Sequence, residues 1–116
     1  MREDDRIRVG HMIEAGDSIR QFMSGRDRTA LDTDRMLLFA VVRAIEVIGE
    51  AASKVSQEAR DAAKAIPWRS IIGMRNRIVH AYWDIDTEIV WKTVTEEIPA
   101  LLPLLRGLMG EGERGP

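Results

Sequence analysis

Apolar residues along this chain recur three and four positions apart, the spacing of helices with one buried face, and no stretch alternates with period two over a useful length. Residues 4–24 carry Val9, Met12, Ile13, Gly16, Ile19, Phe22 and Met23 in that rhythm and predict a first helix, with Asp4 or Asp5 as its cap. Gly10 and Gly16 weaken this helix and mark close packing. Gly25 is its expected C-cap, and residues 25–29 read as a loop. Asp32, Thr33 and Asp34 offer caps and negative charge to a second helix over 34–55. That helix is apolar almost all round, through Met36, Leu37, Leu38, Phe39, Val41, Val42, Ile45, Val47, Ile48 and Val55, which predicts a central element touching neighbours on most sides. Its polar residues, Arg43, Glu46, Glu50 and Ser53, form a narrow stripe in which Arg43 can pair with Glu46, and Glu50 with Lys54.

Residues 57–65 predict a short helix, and Pro67 begins another that runs toward His80, since proline suits a first helical turn. Asp84 and Asp86 are cap-type residues, so the chain turns there. A last helix starts near Asp86 and continues through Ile89, Val90, Val94, Ile98, Leu101, Leu102, Leu105 and Leu108. Pro99 and Pro103 are expected to kink or interrupt it, because each lacks a backbone donor. Its leucine-rich end needs a cover, from the core or from a second copy. The sum is an all-α, up-and-down bundle of four main helices with one short extra helix.

A length of 116 residues, 45% hydrophobic and 31% charged, fits one globular domain over residues 1–109 with a disordered, Gly-rich tail over 110–116. The net charge of -2 argues against a general nucleic-acid coat protein, which would be strongly basic, but leaves room for a focused site. There is no cysteine, hence no disulfide or thiolate chemistry, and no signal peptide or membrane span is expected, since the apolar run 36–42 is too short. A cytoplasmic protein is the expectation.

Within that acidic chain, residues 66–83 hold no Asp or Glu but carry Arg69, Arg75, Arg77 and His80. A local positive island on an acidic protein is a place for an anion. Read as one helix, the segment puts Ile71, Ile72, Met74, Ile78 and Val79 on one face with Arg75 in its middle. A guanidinium there cannot discharge and needs a partner, and Glu46 and Glu50 on the second helix are the candidates. Asn76 flanks the apolar arc, His80 lies nearly opposite its centre, and Gly73 shares the side of His80, for tight packing or for close approach of a phosphate. Arg75 and His80 therefore do not share a tight helical face. Either the helix ends near His80, or another surface, such as the facing helix of a symmetric dimer, completes the site.

An Arg, an amide and a His suit RNA cleavage. The imidazole moves a proton near neutrality, the Arg fork stabilises phosphorane charge, and Tyr82 can stack a base or bind a phosphate. The plainer alternative is a core-edge Arg75 paired with a carboxylate, a surface His80 and an aromatic Tyr82 packing at a helix end. Glu46 and Glu50 lack the second Glu/His pair of a di-metal bundle, so no metal is expected. His11 reads as a half-exposed residue of a packing helix.

The spacing Arg75-x-x-x-x-His80-x-Tyr82, with Asn76 directly after the Arg, resembles the signature of HepT-like toxins of the HEPN superfamily. The resemblance extends to residues 43–52 as the family's central helix and to Ile66-Pro67-Trp68-Arg69 as the approach to the motif. It also takes in Val90-Trp91 and Glu97-Ile98-Pro99 of the last helix, so that it covers roughly residues 5–106. It implies a metal-independent, cofactor-free ribonuclease toxin of a toxin–antitoxin pair, acting as a homodimer. His80 would be the acid or base, Arg75 the phosphate stabiliser and Asn76 a positioning group. Arg77 and Arg69 would be auxiliary RNA contacts, with Glu46 or Glu50 orienting Arg75. The resemblance also implies a nucleotidyltransferase-like antitoxin that transfers AMP to Tyr82. Such a charged, bulky group beside the island would block RNA access. The other reading is a non-catalytic helical module that binds a nucleotidyltransferase partner or nucleotides. The intact set of Arg75, Asn76 and His80 favours the enzyme.

Overall fold

The computed structural model describes residues 1–81 and 84–110. The first apolar rhythm folds as α1, Glu3–Met23, and a six-residue helix, α2 (Arg28–Thr33), follows where the sequence suggests mostly loop and caps. The central apolar stretch forms α3, Arg35–Lys54, and the short helix α4 spans Gln57–Ala62. The motif segment makes two short helices, α5 (Trp68–Ile72) and α6 (Met74–Ile78). A strand, β1 (Val79–Ala81), pairs antiparallel with β2 (Asp84–Ile85). The chain then runs through α7 (Thr87–Lys92), a π-helical turn over Thr93–Glu97, and α8 (Ile98–Leu108). The architecture is all-α, with α1, α3, α5–α6 and the α7–α8 run as the main members and a minimal hairpin set among them.

Helix α3 is the hub, packing on α1, α2, α5 and α6. Val41, Ile45, Ile48 and Ala52 are sealed in one core with Val9, Met12 and Ile19 of α1, Ile71, Ile78, and Ile98, Leu102 and Leu105 of α8. The approach to α5 is close because Gly49 has no side chain: a Cβ there would lie 3.4 Å from the carbonyl oxygens of both Ile71 and Ile72. Gly16 of α1 likewise admits Leu102, whereas Gly10 has nothing within 4 Å and marks no contact.

The expectation that α3 is covered on most sides needs correcting. Met36 is 84% exposed and Phe39 52%. They continue, at spacings of three and four, the stripe that carries Arg43, Glu50 and Ser53, and no described element packs over it. Hydrophobicity alone did not mark this side as open, because an apolar residue is an inside residue only where something covers it.

Two caps fall where the sequence places them. Asp34 accepts the Leu37 N–H and Asp86 the Ile89 N–H, each at 3.1 Å. Asp5 does not cap α1. It is buried and accepts the N–H of Ser56 at 2.8 Å and its hydroxyl at 2.7 Å. The backbone bond from Ser56, then its hydroxyl, holds the Asp5 carboxyl below the usual range. Ser56 Oγ in turn accepts the Ala59 N–H and caps α4, so one buried carboxylate ties the start of α1 to the α3–α4 turn.

The α-helical pattern of the last helix is interrupted just before Pro99, as expected, but not at Pro103. Pro99 has no N–H for the carbonyl of Thr95, and the wider π turn lies directly before it; α8 continues through Pro103. No described helix is long and apolar enough to cross a membrane. Tyr82, Trp83 and residues 111–116 of the expected tail lie outside the described residues.

Candidate functional site

The motif segment is not one helix. At Gly73, with φ -86° and ψ -2°, α5 ends and α6 begins. Helix α6 lasts five residues before the chain becomes extended. The buried positions are Ile71, Met74 and Ile78, while Ile72 and Val79 are half-buried. Arg75 follows Met74 at the edge of that arc and is exposed, not held in the middle of an apolar face. The helical phase that centred it there does not persist across the break.

Arg75 has no ion pair or hydrogen bond among the described residues. The cation beside Glu46 and Glu50 is instead Arg43, with its guanidinium 3.7 Å from each carboxylate. All three lie on α3, where residues three and seven positions apart stack along one side. Glu46 and Glu50 nonetheless border the same space as Arg75. They line, with Arg75 and Asn76, a cavity of about 380 Å³. A second cavity of about 250 Å³ brings Arg75 next to the exposed Phe39, Arg43, Val79 and Ile85.

His80 sits in β1. The hairpin pairs Val79 with Ile85 and Ala81 with Asp84, so the register slips by one and His80 is the residue without a partner. A bulge of this kind re-aims a side chain. Here the imidazole Nε2 lies 3.6 Å from Oδ2 of Asp86, with the His80 side chain 53% exposed. The Asp86 N–H donates to the Ile78 carbonyl at 2.8 Å, which closes the hairpin and sets this approach. Sequence reasoning assigned Asp86 only a capping role. The spacing of six residues has no meaning on a helix, so only the turn back through β2 reveals the pair. Neither cavity beside Arg75 is lined by His80.

The remaining motif cations divide. Arg77 is anchored internally, donating to the Ser70 carbonyl at 3.2 Å and lying 3.4 Å from Glu97, which also accepts the Thr93 hydroxyl. Arg69 is exposed and opens onto a separate cavity of about 420 Å³ with Arg60 and Lys64. Tyr82, the expected modification site, lies outside the described residues.

Comparison with known proteins places the chain in a family. The family model described as "Ribonuclease HepT-like" matches residues 12–108. A protein of Methanocaldococcus jannaschii named "Putative RNase" is 31% identical over 90 residues, covering 78% of this chain and 83% of its own length. One of Thermococcus cleftensis named "Probable ribonuclease HepT" is 43% identical over 68 residues, 59% of this chain and 62% of that protein. No solved structure matches. A match over nearly the whole helical bundle, around an unbroken Arg-x-x-x-x-His-x-Tyr run, establishes that the chain belongs to the HepT-like ribonuclease family of the HEPN superfamily.

Proposed function

We propose that the chain cleaves RNA by internal attack of a 2′-hydroxyl on the adjacent phosphodiester, without a metal, at a site assembled from two copies. The observation that carries this reading is Arg75: a solvent-facing guanidinium with no internal partner among the described residues, set in a concavity beside Asn76. Arg43 and Arg77, the neighbouring arginines, are engaged with carboxylates, whereas Arg75 is left available for an outside anion.

In the proposed step neutral His80 takes the 2′-hydroxyl proton as O2′ bonds to phosphorus. The bond to the 5′ oxygen breaks, and the imidazolium returns a proton to that oxygen. A 2′,3′-cyclic phosphate remains on one product. Arg75 carries the charge that develops on the phosphoryl oxygens, and Asn76 orients the phosphate. Glu46 and Glu50 keep Arg43 on their own side and leave Arg75 extended. Arg77, through its remaining N–H groups, and Arg69 contact the strand on either side.

His80 lines neither of the cavities that Arg75 lines in one chain, which favours completion of the site by a second copy. The exposed Phe39, which lines one of those cavities, supports burial of this face against a second copy. The family resemblance supports the rest of the biology: a cytoplasmic toxin, restrained by a nucleotidyltransferase-like antitoxin that adds AMP to Tyr82.

That His80 lines neither Arg75 cavity also favours a second reading, a non-catalytic module that binds such a partner or its nucleotide. Cleavage of RNA in EDTA decides between them. Wild type should cut, and His80→Ala and Arg75→Ala should each lose about 10²–10⁴-fold in kcat. Cleavage that survives both substitutions would remove these residues from the site. An inert wild type that binds its partner tightly would make the module reading correct.

A further inference from the structure

Arg69 enters the proposed chemistry only as a contact to the strand, and the cavity beneath it has no assigned occupant. It holds about 420 Å³ between α4, the turn after it, and α5. Its floor is apolar, formed by Ile66, Trp68 and Ile72, and the Trp68 ring is fixed by donation of Nε1–H to the Ala63 carbonyl at 3.1 Å. Its rim carries Arg60, Lys64 and Arg69 against one acid, Asp61, whose carboxylate accepts from the Gln57 amide at 2.9 Å. Arg60 is partly committed, donating to the carbonyls of Val55 and Ser53 at the end of α3. Lys64 and Arg69 are exposed, with no partner among the described residues.

This cavity adjoins the Arg75 cavity, since Ile72 lines both. Their charges are opposite in balance. The Arg75 cavity has one cation against Glu46 and Glu50, and the neighbouring one has three cations against Asp61. A strand whose reacting phosphate sits on Arg75 can lay its next phosphates along α3, where Arg43 is already paired with Glu46 and Glu50, or across Ile72 into the cavity where cations outnumber acids. Like-charge repulsion decides for the latter.

We propose that the cavity rimmed by Lys64 and Arg69 is a second phosphate-binding subsite, which takes a flanking phosphodiester of a single-stranded RNA cleaved at Arg75. This rests on the RNA-cleavage reading and adds to it a direction for the strand and a requirement for substrate longer than a dinucleotide.

The probe is an RNA of about eight nucleotides, fully 2′-O-methylated so that internal attack is impossible, with binding followed by fluorescence anisotropy across a salt series. For single strands each neutralised phosphate contributes roughly 0.7 to the slope of log affinity against log salt. Lys64→Ala/Arg69→Ala is expected to weaken binding about tenfold and to flatten that slope by about 0.7. Arg8→Ala/Arg20→Ala, with the same charge change on α1, should stay at the wild-type slope. Equal affinities and slopes for the two double variants would overturn the subsite. Cleavage of unmodified RNA by the same preparations separates the two ideas. Binding that depends on Lys64 and Arg69 without any cleavage keeps the subsite and sinks the catalytic reading; cleavage with binding indifferent to both residues does the reverse.

Discussion

Asp86 joins the motif imidazole to the last helix, and two substitutions divide its tasks. One carboxylate oxygen accepts the Ile89 N–H at 3.1 Å and starts α7; the other lies 3.6 Å from His80 Nε2. Loss of a cap costs about 1 kcal/mol. The His80 contact is worth less, since the two side chains are 53% and 32% exposed and water screens them. Pairs of that kind contribute about 0.2–1 kcal/mol, roughly a 1.4- to 5-fold effect on how often the imidazole is held in place. Asp86→Asn preserves the cap, because Asn caps as well as Asp, and removes the charge. Asp86→Ala removes both. Thermal unfolding should leave the Asn variant near wild type and lower the Ala variant by about 3–6 °C. The kcat of RNA cleavage, measured well below either midpoint, should fall roughly 1.4- to 5-fold in both with KM unchanged. An Asn variant that cleaves at the wild-type rate would refute the positioning role. An Asn variant as unstable as the Ala one would refute the cap.

The buried Asp5 should behave as a structural carboxylate. Asp5→Ala strands the Ser56 N–H and hydroxyl and should cost about 3 kcal/mol in urea unfolding at neutral pH. Because the folded carboxyl titrates below its ordinary value, that contribution is present above the ordinary carboxylate pKa and disappears as pH falls through the lower folded one. A gap between wild type and variant that widens on acidification would contradict this. Two glycines of α1 should respond with opposite signs. Gly10→Ala meets open space and should stabilise by about 0.5–1 kcal/mol, while Gly16→Ala pushes a Cβ to 2.7 Å from Leu102 Cδ2 and should destabilise by about 1–2 kcal/mol. Denaturant midpoints of the pair test the packing of α1 on α8. Phe39→Asp, on the open stripe of α3, should leave the unfolding midpoint nearly unchanged, yet convert a dimer to monomer by light scattering and abolish cleavage. Full activity from a monomeric variant would show that one chain suffices.

What the sequence discloses divides along a physical line. Asp34 and Asp86 cap α3 and α7 through side chains that reach only three residues ahead, so a local pattern suffices to find them. The buried faces of α1, α3 and α8 follow from a period that persists over several turns. The motif segment escapes this logic. Gly73 ends one helix and starts another, and phase arithmetic carried across that break put Arg75 in the core. A strand of two residues, β2, is too short to show alternation, yet it places Asp86 against His80. Glu46 and Glu50 looked like partners for Arg75 because Arg75 was read as buried and in need of a carboxylate, but Arg43 on their own helix lies 3.7 Å from each. The family motif names the right segment without its geometry, since a spacing of residues says nothing about which way a bulged strand turns its imidazole. The same limit applies to Met36 and Phe39: their hydrophobicity demands cover, yet Met36 is 84% exposed and the Phe39 ring, with the Arg35 guanidinium 5.0 Å over it, is still 52% exposed. The open stripe of α3 reaches an Arg75 cavity at Phe39, and His80 lines neither cavity beside Arg75. A second copy packed there would resolve both, which is why the oligomeric state bears on the chemistry itself.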